Sequence, residues 1–296
     1  MPPGLRGWRR RPDGAAWLER VPRLAAECAE LWELRFGSAY RGSNVSFVAP
    51  VERADGTPAV LKISFPDLWE NEQEGDALAH WDGRGAVRLL ERDRERRALL
   101  IERCEPGTPL WAVAGEDEAN AIAIDVLRRL WRPAPAEHPF RLLADDASRW
   151  ADELLDAWDR LGRPFERALV DAAVAVVREL APTQNAPVVL HQDFHGGNVL
   201  RAGREPWLAI DPQPLVGERE FDAASLLRDR TEELLADPSP ARRLRRRLDV
   251  LAADLALDRE RIRRWGSVHA LAWGVSAAAK KLEPELVECA RLLTSA

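Results

Sequence analysis

The sequence predicts an α+β chain: a helical element and a small antiparallel sheet come first, and a mainly helical remainder follows. Three features support this. Over 40–64 and again over 86–101, short apolar blocks are split by turn residues, the pattern of paired strands. Beyond residue 105, apolar residues recur at helical steps over 115–131, 148–161, 166–180 and 259–282. Before the last of these, 188–211 carries further short apolar runs, two of them joined by Ala202, Gly203, Arg204, Glu205 and Pro206. Gly and Pro supply the turn of a hairpin there.

Taken in order, residues 12–36 read as an amphipathic helix or helix pair. Trp17, Val21, Leu24, Cys28, Leu31 and Leu34 lie at its apolar steps, and Gly37 is its stop. Val45, Phe47 and Val48, the turn at Asp55 and Gly56, and the run 59–63 predict a hairpin. Asp67 and Glu70 have capping-box spacing for a helix that places Glu70, Glu74 and Leu78 on one face, with Glu72 off it in solvent. Runs 86–90 and 98–101 are strands split by a charged, solvated tip at 92–97.

In the helical part, Ser148 is the expected cap of 148–161, 132–136 is a loop, and Pro182 ends 166–180. Asp222 stands where a carboxylate caps the start of a helix. The arginine-rich run 242–247 reads as a solvated helix face in preference to a nucleic-acid patch. The last helix aligns Ile262, Trp265, Val268, His269, Ala272 and Trp273, with His269 a packed residue.

Composition narrows the function classes. At 296 residues, with 46% hydrophobic and 31% charged residues, the chain is long enough to bury a core and ordinary for a soluble protein. No run approaches the roughly 18 apolar residues of a membrane span, and the first ten residues lack the apolar stretch of a secretion signal. Cys28, Cys104 and Cys289 are isolated, so no disulfide framework is expected and the reading is cytoplasmic. A net charge of -6 argues against a nucleic-acid partner and suits a cationic small molecule. Twelve tryptophans stand against one tyrosine, read mainly as core packing with some free to line a ligand cleft.

The polar knot after 188–190 carries the chemistry. His191 and Asp193, then Asn198 five residues on, then Asp211 after the hairpin, match the catalytic-loop and metal-aspartate spacing of kinases. The hairpin is expected to bring Asp193, Asn198 and Asp211 to one end of the sheet. Phosphoryl transfer needs a carboxylate to orient and deprotonate a hydroxyl, and hard oxygens to hold Mg²⁺ against ATP. Asp193 is the candidate base; Asn198 and Asp211 are the candidate metal ligands. Two other readings stay open: a polar loop that collects such residues as turns do, and a zinc site on His191, Asp193 and His195.

Lys62 lies inside an apolar strand, either as an edge lysine facing water or as the contact to the α and β phosphates. In the second case the turn 41–44, with Ser43 and Asn44, lies over the phosphates, although it lacks the usual glycine spacing.

At 191–200, 210–222 and 86–91 the chain resembles the aminoglycoside phosphotransferases, and among them the streptomycin and hydroxyurea resistance kinases; the likeness runs over nearly the whole sequence. It implies a bilobal protein-kinase-like fold, with 1–104 as the small lobe and 105–296 as the large one, and ATP- and Mg²⁺-dependent phosphorylation of a small-molecule hydroxyl. It implies Glu74 as the partner of Lys62, with Glu70 in reserve. The backbone of Glu102 and Cys104 would form an adenine-binding hinge, Asp222 would brace the catalytic loop, and the C-terminal helices would wall the acceptor site.

The implied acceptor is an aminocyclitol antibiotic such as streptomycin, with Glu218, Glu220 and Asp222 as candidates to meet its cations. Hydroxyurea, another metabolite, or a nucleotide-binding pseudokinase without turnover are the alternatives. Gln213 departs from the lysine common at that place.

Overall fold

A computed structural model describes residues 2–43, 45–65, 70–276 and 281–295. The expected phosphate-turn residue Asn44 and the cap residue Asp67 lie outside the described residues, as do the side chains of Glu70 and Glu72. The chain forms two compact units, one of 1–108 with 200–213 and one of 109–199 with 214–296.

The first unit opens with a 3-10 stretch at Pro3–Arg10 and helix α1 at Pro12–Leu31. Its strands are β1 Arg35–Phe36, β2 Ser46–Glu52 and β3 Pro58–Ser64; helix α2 Glu70–Trp81 precedes β4 Leu89–Asp93 and β5 Ala98–Glu102. They form one sheet in the order β1-β2-β3-β5-β4, in which each neighbouring pair is antiparallel. Leu24 and Cys28 of α1 pack on Val51, Leu61, Ile63 and Leu100 of the sheet, which removes one face of each element from water.

The first helix stops at Leu31 and does not reach Gly37. Trp32 N–H closes on Cys28 O, and Glu33 turns into the left-handed region at φ 52, which leaves 35–36 extended beside β2. The arginines of the expected solvated tip are paired: Arg92 meets Asp76 at 2.6 Å and Arg96 meets Asp93 at 2.7 Å.

The second unit begins with α3 Glu116–Leu130, β6 Arg141–Leu142, α4 Leu143–Arg160, α5 Arg167–Leu180 and β7 Val188–Leu190. The chain then forms the hairpin of β8 Val199–Arg201 and β9 Trp207–Ala209, and goes on through β10 Leu215–Gly217, α6 Arg219–Ser225, α7 Thr231–Leu235, α8 Pro240–Leu255, α9 Arg259–Gly274, β11 Val275–Ser276, β12 Lys281–Leu282 and α10 Pro284–Thr294. β6, β10 and β7 make a small sheet with β10 central.

The segment 200–213 is tied to the first unit by backbone bonds. Gly107 N–H donates to Arg201 O at 3.0 Å, Arg201 N–H to Thr108 O at 2.8 Å, and Ala209 N–H to Gly85 O at 2.8 Å.

Two helix boundaries also differ from expectation. Ser148 is not a cap: α4 starts at Leu143, and the Ser148 hydroxyl donates back to Ala144 O at 2.8 Å, the bond a serine makes inside a helix. α9 ends at Gly274, where a Cβ would stand 3.0 Å from Leu286 Cβ, so a glycine lets α10 approach. The arginine run on α8 is neutralised by the start of α3, with Arg243 and Arg247 on Glu116 at 2.6 and 2.7 Å and Arg246 on Asp117 at 2.7 Å. Among the described residues, no helix is long and apolar enough to cross a membrane, and all three cysteines are free.

α9 is capped by Asp258, whose carboxylate accepts from Glu260 and Arg261 N–H at 2.8 and 3.0 Å. Asp258→Ala is expected to lower unfolding free energy by about 1 kcal/mol; urea denaturation of both proteins measures it.

Candidate active site

Each unit gathers one group of the expected site residues. In the first, Lys62 pairs with Val48 of β2 and Leu99 of β5, so it is interior to the sheet and not an edge lysine. Its side chain is 6% exposed and its Nζ lies 2.6 Å from Glu74 Oε2 on α2. The same nitrogen is bonded to Asp211 Oδ1. Asp211 follows β9 with φ 57, a left-handed conformation that Asp tolerates better than most residues, and 53% of its side chain is exposed.

One ammonium is thus shared by two carboxylates. Burial by itself pulls the Lys62 ammonium down, but the charges of Asp211 and Glu74 outweigh that and its pKa is raised. Burial and the neighbouring Asp211 charge push the Glu74 carboxyl up against the pull of Lys62.

The other nucleotide candidates have simpler surroundings. Ser43 Oγ donates to Ser46 O at 2.5 Å, so the hydroxyl closes its own turn. The Glu102 carboxylate is taken by Arg204, with Nη2 to Oε2 at 2.9 Å, and by Arg88 N–H at 3.0 Å, so that side chain is committed to the sheet. Cys104 stands two residues past β5, its thiol pushed up to about 12 by burial and by the Glu102 charge; it is protonated at neutral pH.

In the second unit, β7 delivers the loop that holds Asp193 and Asn198. Gln192 adopts φ 68, an uncommon conformation for such a residue. It is held because His191 and Gln192 N–H donate at 2.9 and 2.8 Å to one carboxylate, Asp222 of α6. Trp131 Nε1 donates to the same group at 3.1 Å. Asp222 therefore ties down the loop amides, whereas a capping residue would have tied those of its own helix.

Asn198 Nδ2 donates to Asp193 O at 3.0 Å, which leaves its amide oxygen outward from that bond. Burial pushes the Asp193 carboxyl up, but the nearby His195 ring and the Arg228 charge prevail and hold it well below the usual carboxylate range. Asp193 is an anion at any working pH. His191, fully buried, packs edge-on to Phe194 at 5.5 Å.

Several residues around this loop were not found from the sequence. Arg228 Nη2 donates to Asp193 Oδ1 at 2.9 Å, yet no motif marks Arg228. His269 was read only as a packed residue. It is fully buried, but its Nδ1 also accepts from Arg228 Nε at 2.9 Å. Trp111 lies over the loop, stacked on His195 at 5.0 Å and 12°, with Nε1 donating to Asp229 at 2.7 Å. The pair Gly196 and Gly197 was the available signal: a Cβ on either would stand 2.5 or 2.7 Å from the indole.

The acids suggested for a cationic acceptor are mostly committed elsewhere. Glu218 is fully buried and paired with Arg261 at 2.7 Å, Asp222 is fully buried against the loop amides, and Glu220 is 6% exposed.

Chemically, the first group offers a fixed cation for an anionic ligand beside an exposed carboxylate that retains an oxygen for a metal. The second offers a carboxylate anion beside an amide oxygen. Hard oxygens of this kind suit Mg²⁺, which takes few protein ligands and completes its shell with phosphate and water. Among the described residues no group of three or more His, Cys, Asp or Glu is placed to hold a metal, so His191, Asp193 and His195 do not assemble the zinc shell considered from spacing.

The family model described as aminoglycoside/hydroxyurea antibiotic resistance kinase matches residues 32–284. A streptomycin 6-kinase of Streptomyces griseus is 37% identical over 284 residues, 95% of this chain and 92% of that one. A hydroxyurea phosphotransferase of Kitasatospora aureofaciens is 37% identical, covering 85% of this chain and 72% of its own. Among solved structures, the aminoglycoside phosphotransferase APH(3'')-Id of Streptomyces rimosus, in complex with ADP and streptomycin, aligns with TM-score 0.54 at 23% identity over 76% of this chain and 91% of that one. That likeness is one of fold, the protein-kinase-like one.

Removing Lys62 leaves Glu74 buried without its cation. Lys62→Met is expected to lower stability by about 3–5 kcal/mol near pH 8, and Lys62→Met with Glu74→Gln to recover most of that loss; chemical denaturation of the three proteins measures both effects.

Proposed function

The chain belongs to the aminoglycoside/hydroxyurea antibiotic resistance kinases, and from that premise we propose that it transfers the γ-phosphoryl group of ATP to a hydroxyl of a streptomycin-type aminocyclitol. The observation that carries the phosphotransferase reading is the Lys62 ammonium held jointly by Glu74 and Asp211. The substrate class follows from the 37% identity to a streptomycin 6-kinase over 95% of the chain.

In this reading Lys62 binds the α and β phosphates, and Glu74 keeps the ammonium aimed. Because the Ser43 hydroxyl is used locally, its backbone N–H is the contact offered to the phosphates; Asn44, the other residue expected there, lies outside the described residues. Glu102 O and Cys104 N–H meet the adenine edge, a role the side chains do not enter. Asp211 and Asn198 would supply the side-chain oxygens for Mg²⁺. When bound, that ion neutralises charge on the phosphate oxygens.

Asp193 orients the acceptor hydroxyl and takes its proton as the acceptor oxygen bonds to the γ phosphorus and the bridging bond to ADP breaks. The proton passes later to water. A carboxylate held low is a weak base, so proton transfer comes late and orientation is its main contribution. Reaction in the cytoplasm, where ATP is available, fits the reading.

Hydroxyurea is the second acceptor to consider, on the strength of the 37% identical hydroxyurea phosphotransferase. A pseudokinase is disfavoured because Lys62, Asp193, Asn198 and Asp211 all occupy the expected positions.

The test is incubation with ATP and Mg²⁺ of a panel containing streptomycin, related cationic aminocyclitols and hydroxyurea, read by mass spectrometry. Streptomycin is expected to gain one phosphoryl group. Asp193→Asn is expected to slow this by about 10²–10⁴-fold, and EDTA to stop it. Modification of hydroxyurea alone would move the assignment to the second acceptor; ATP binding without any transfer would refute the enzyme.

A further inference from the structure

α9 carries an assembly that reaches the candidate base through one arginine. Arg228 lies in the 3-10 turn Leu226–Arg228 after α6. Its Nη2 donates to Asp193 Oδ1 and its Nε donates to His269 Nδ1, both at 2.9 Å. The other ring nitrogen of His269, Nε2, lies 3.1 Å from Gln192 O. Nδ1 must present a lone pair to Arg228, so the N–H sits on Nε2 and donates to Gln192. His269 therefore touches both the backbone next to Asp193 and the arginine that holds its carboxylate.

The guanidinium is confined on a further side. Its Cζ lies 5.2 Å from the Trp273 ring centre, within cation–π range, and His269 stacks on the same indole at 4.0 Å and 9°. Phe221 packs on His269 at 5.1 Å, and Trp150 on Trp273 at 5.8 Å.

The two carboxylate oxygens of Asp193 are not equivalent. Oδ1 has a charge-assisted bond of ordinary length. Among the described residues Oδ2 has only distant neighbours, Asn198 Nδ2 at 3.4 Å and His195 Nε2 at 3.7 Å, the first at the outer limit of a hydrogen bond and the second beyond it.

We propose that Arg228, held by His269 and Trp273, is the positioning residue of the phosphotransfer: it fixes the Asp193 carboxylate so that Oδ2 receives the acceptor hydroxyl. The proposal rests on the reading of Asp193 as the base. Arg228 and His269 act through Asp193 and touch neither ATP nor acceptor. Their loss frees rotation of the carboxylate, which affects the oriented complex and leaves ground-state binding in place.

Steady-state kinetics with streptomycin and ATP test this on Arg228→Met, Arg228→Lys, His269→Gln and Asp193→Asn, each with a melting curve. Arg228→Met is expected to lose about 10–100-fold in kcat with both KM values within about twofold of the parent. Arg228→Lys, which keeps the charge but not the two-armed grip, is expected to recover part of kcat. His269→Gln is expected to fall between Arg228→Met and the parent.

Should Arg228→Met fail to fold, Arg228→Lys and His269→Gln decide. Reduced kcat at parental KM and melting temperature supports the role, and parental kcat overturns it. A loss confined to KM, or kcat falling only in step with melting temperature, also overturns it. An inactive Asp193→Asn beside a fully active Arg228→Met removes the positioning role and leaves the base intact. An active Asp193→Asn removes the base, and this proposal with it.

Discussion

A buried ammonium must be matched by negative charge, because leaving it bare costs several kcal/mol. Lys62 is matched twice, by Glu74 and by Asp211. That requirement reaches far into the first unit. The β3 strand must be interior so that Lys62 points away from water, α2 must stand where Glu74 can reach it, and the hairpin of 200–213 must return to the sheet to deliver Asp211. The backbone bonds from Gly107 to Arg201 and from Ala209 to Gly85 are how that return is held. The pair is also not self-sufficient in charge: two carboxylates on one ammonium leave a net negative site with an exposed oxygen, an arrangement suited to a divalent cation.

The second unit solves a different problem, a loop in an uncommon conformation. Gln192 at φ 68 is kept there by Asp222, which accepts from two successive amides, and by Ser225 Oγ, which donates to Phe194 O at 2.7 Å. All of this comes from α6, and α6 is in turn packed on α9 through Phe221, Trp265 and His269. Loop, bracing helix and α9 form a continuous chain of contacts, so the position of Asp193 is set by residues far away in sequence. The tryptophans divide accordingly. Trp265 and Trp273 belong to this packed cluster and Trp17 to the core of the first unit, while Trp111, 49% exposed, covers the glycine pair of the loop.

How much was legible follows from the range of each signal. Asp193, Asn198 and Asp211 could be singled out because their chemistry is written at short, regular intervals. Lys62 could be noticed because a lysine in an apolar strand is anomalous; helical spacing left Glu70 and Glu74 on one face, and the family resemblance pointed to Glu74 as its partner. The roles assigned to them are chemical proposals; the pairing is geometry. Arg228 stood among many arginines of a chain with 43 basic residues, and nothing local distinguishes one that meets Asp193 from one on a solvated face. Glu218 and Asp222 looked available to a cation for the same reason, until Arg261 and the loop amides were seen to occupy them.

By itself the sequence determined the class of elements and the family, and it singled out the side chains to which the phosphate and proton roles are proposed, because periodicity and motif spacing act over a few residues. Tertiary structure alone decided the partners that neither motif nor resemblance marked: that Lys62 is shared with Asp211, that Glu218 is taken by Arg261, that Arg228 stands on Asp193 with His269 behind it. Such pairings join residues up to 149 positions apart. The energy of a charge depends on what surrounds it in space, and one-dimensional order does not encode that surrounding directly.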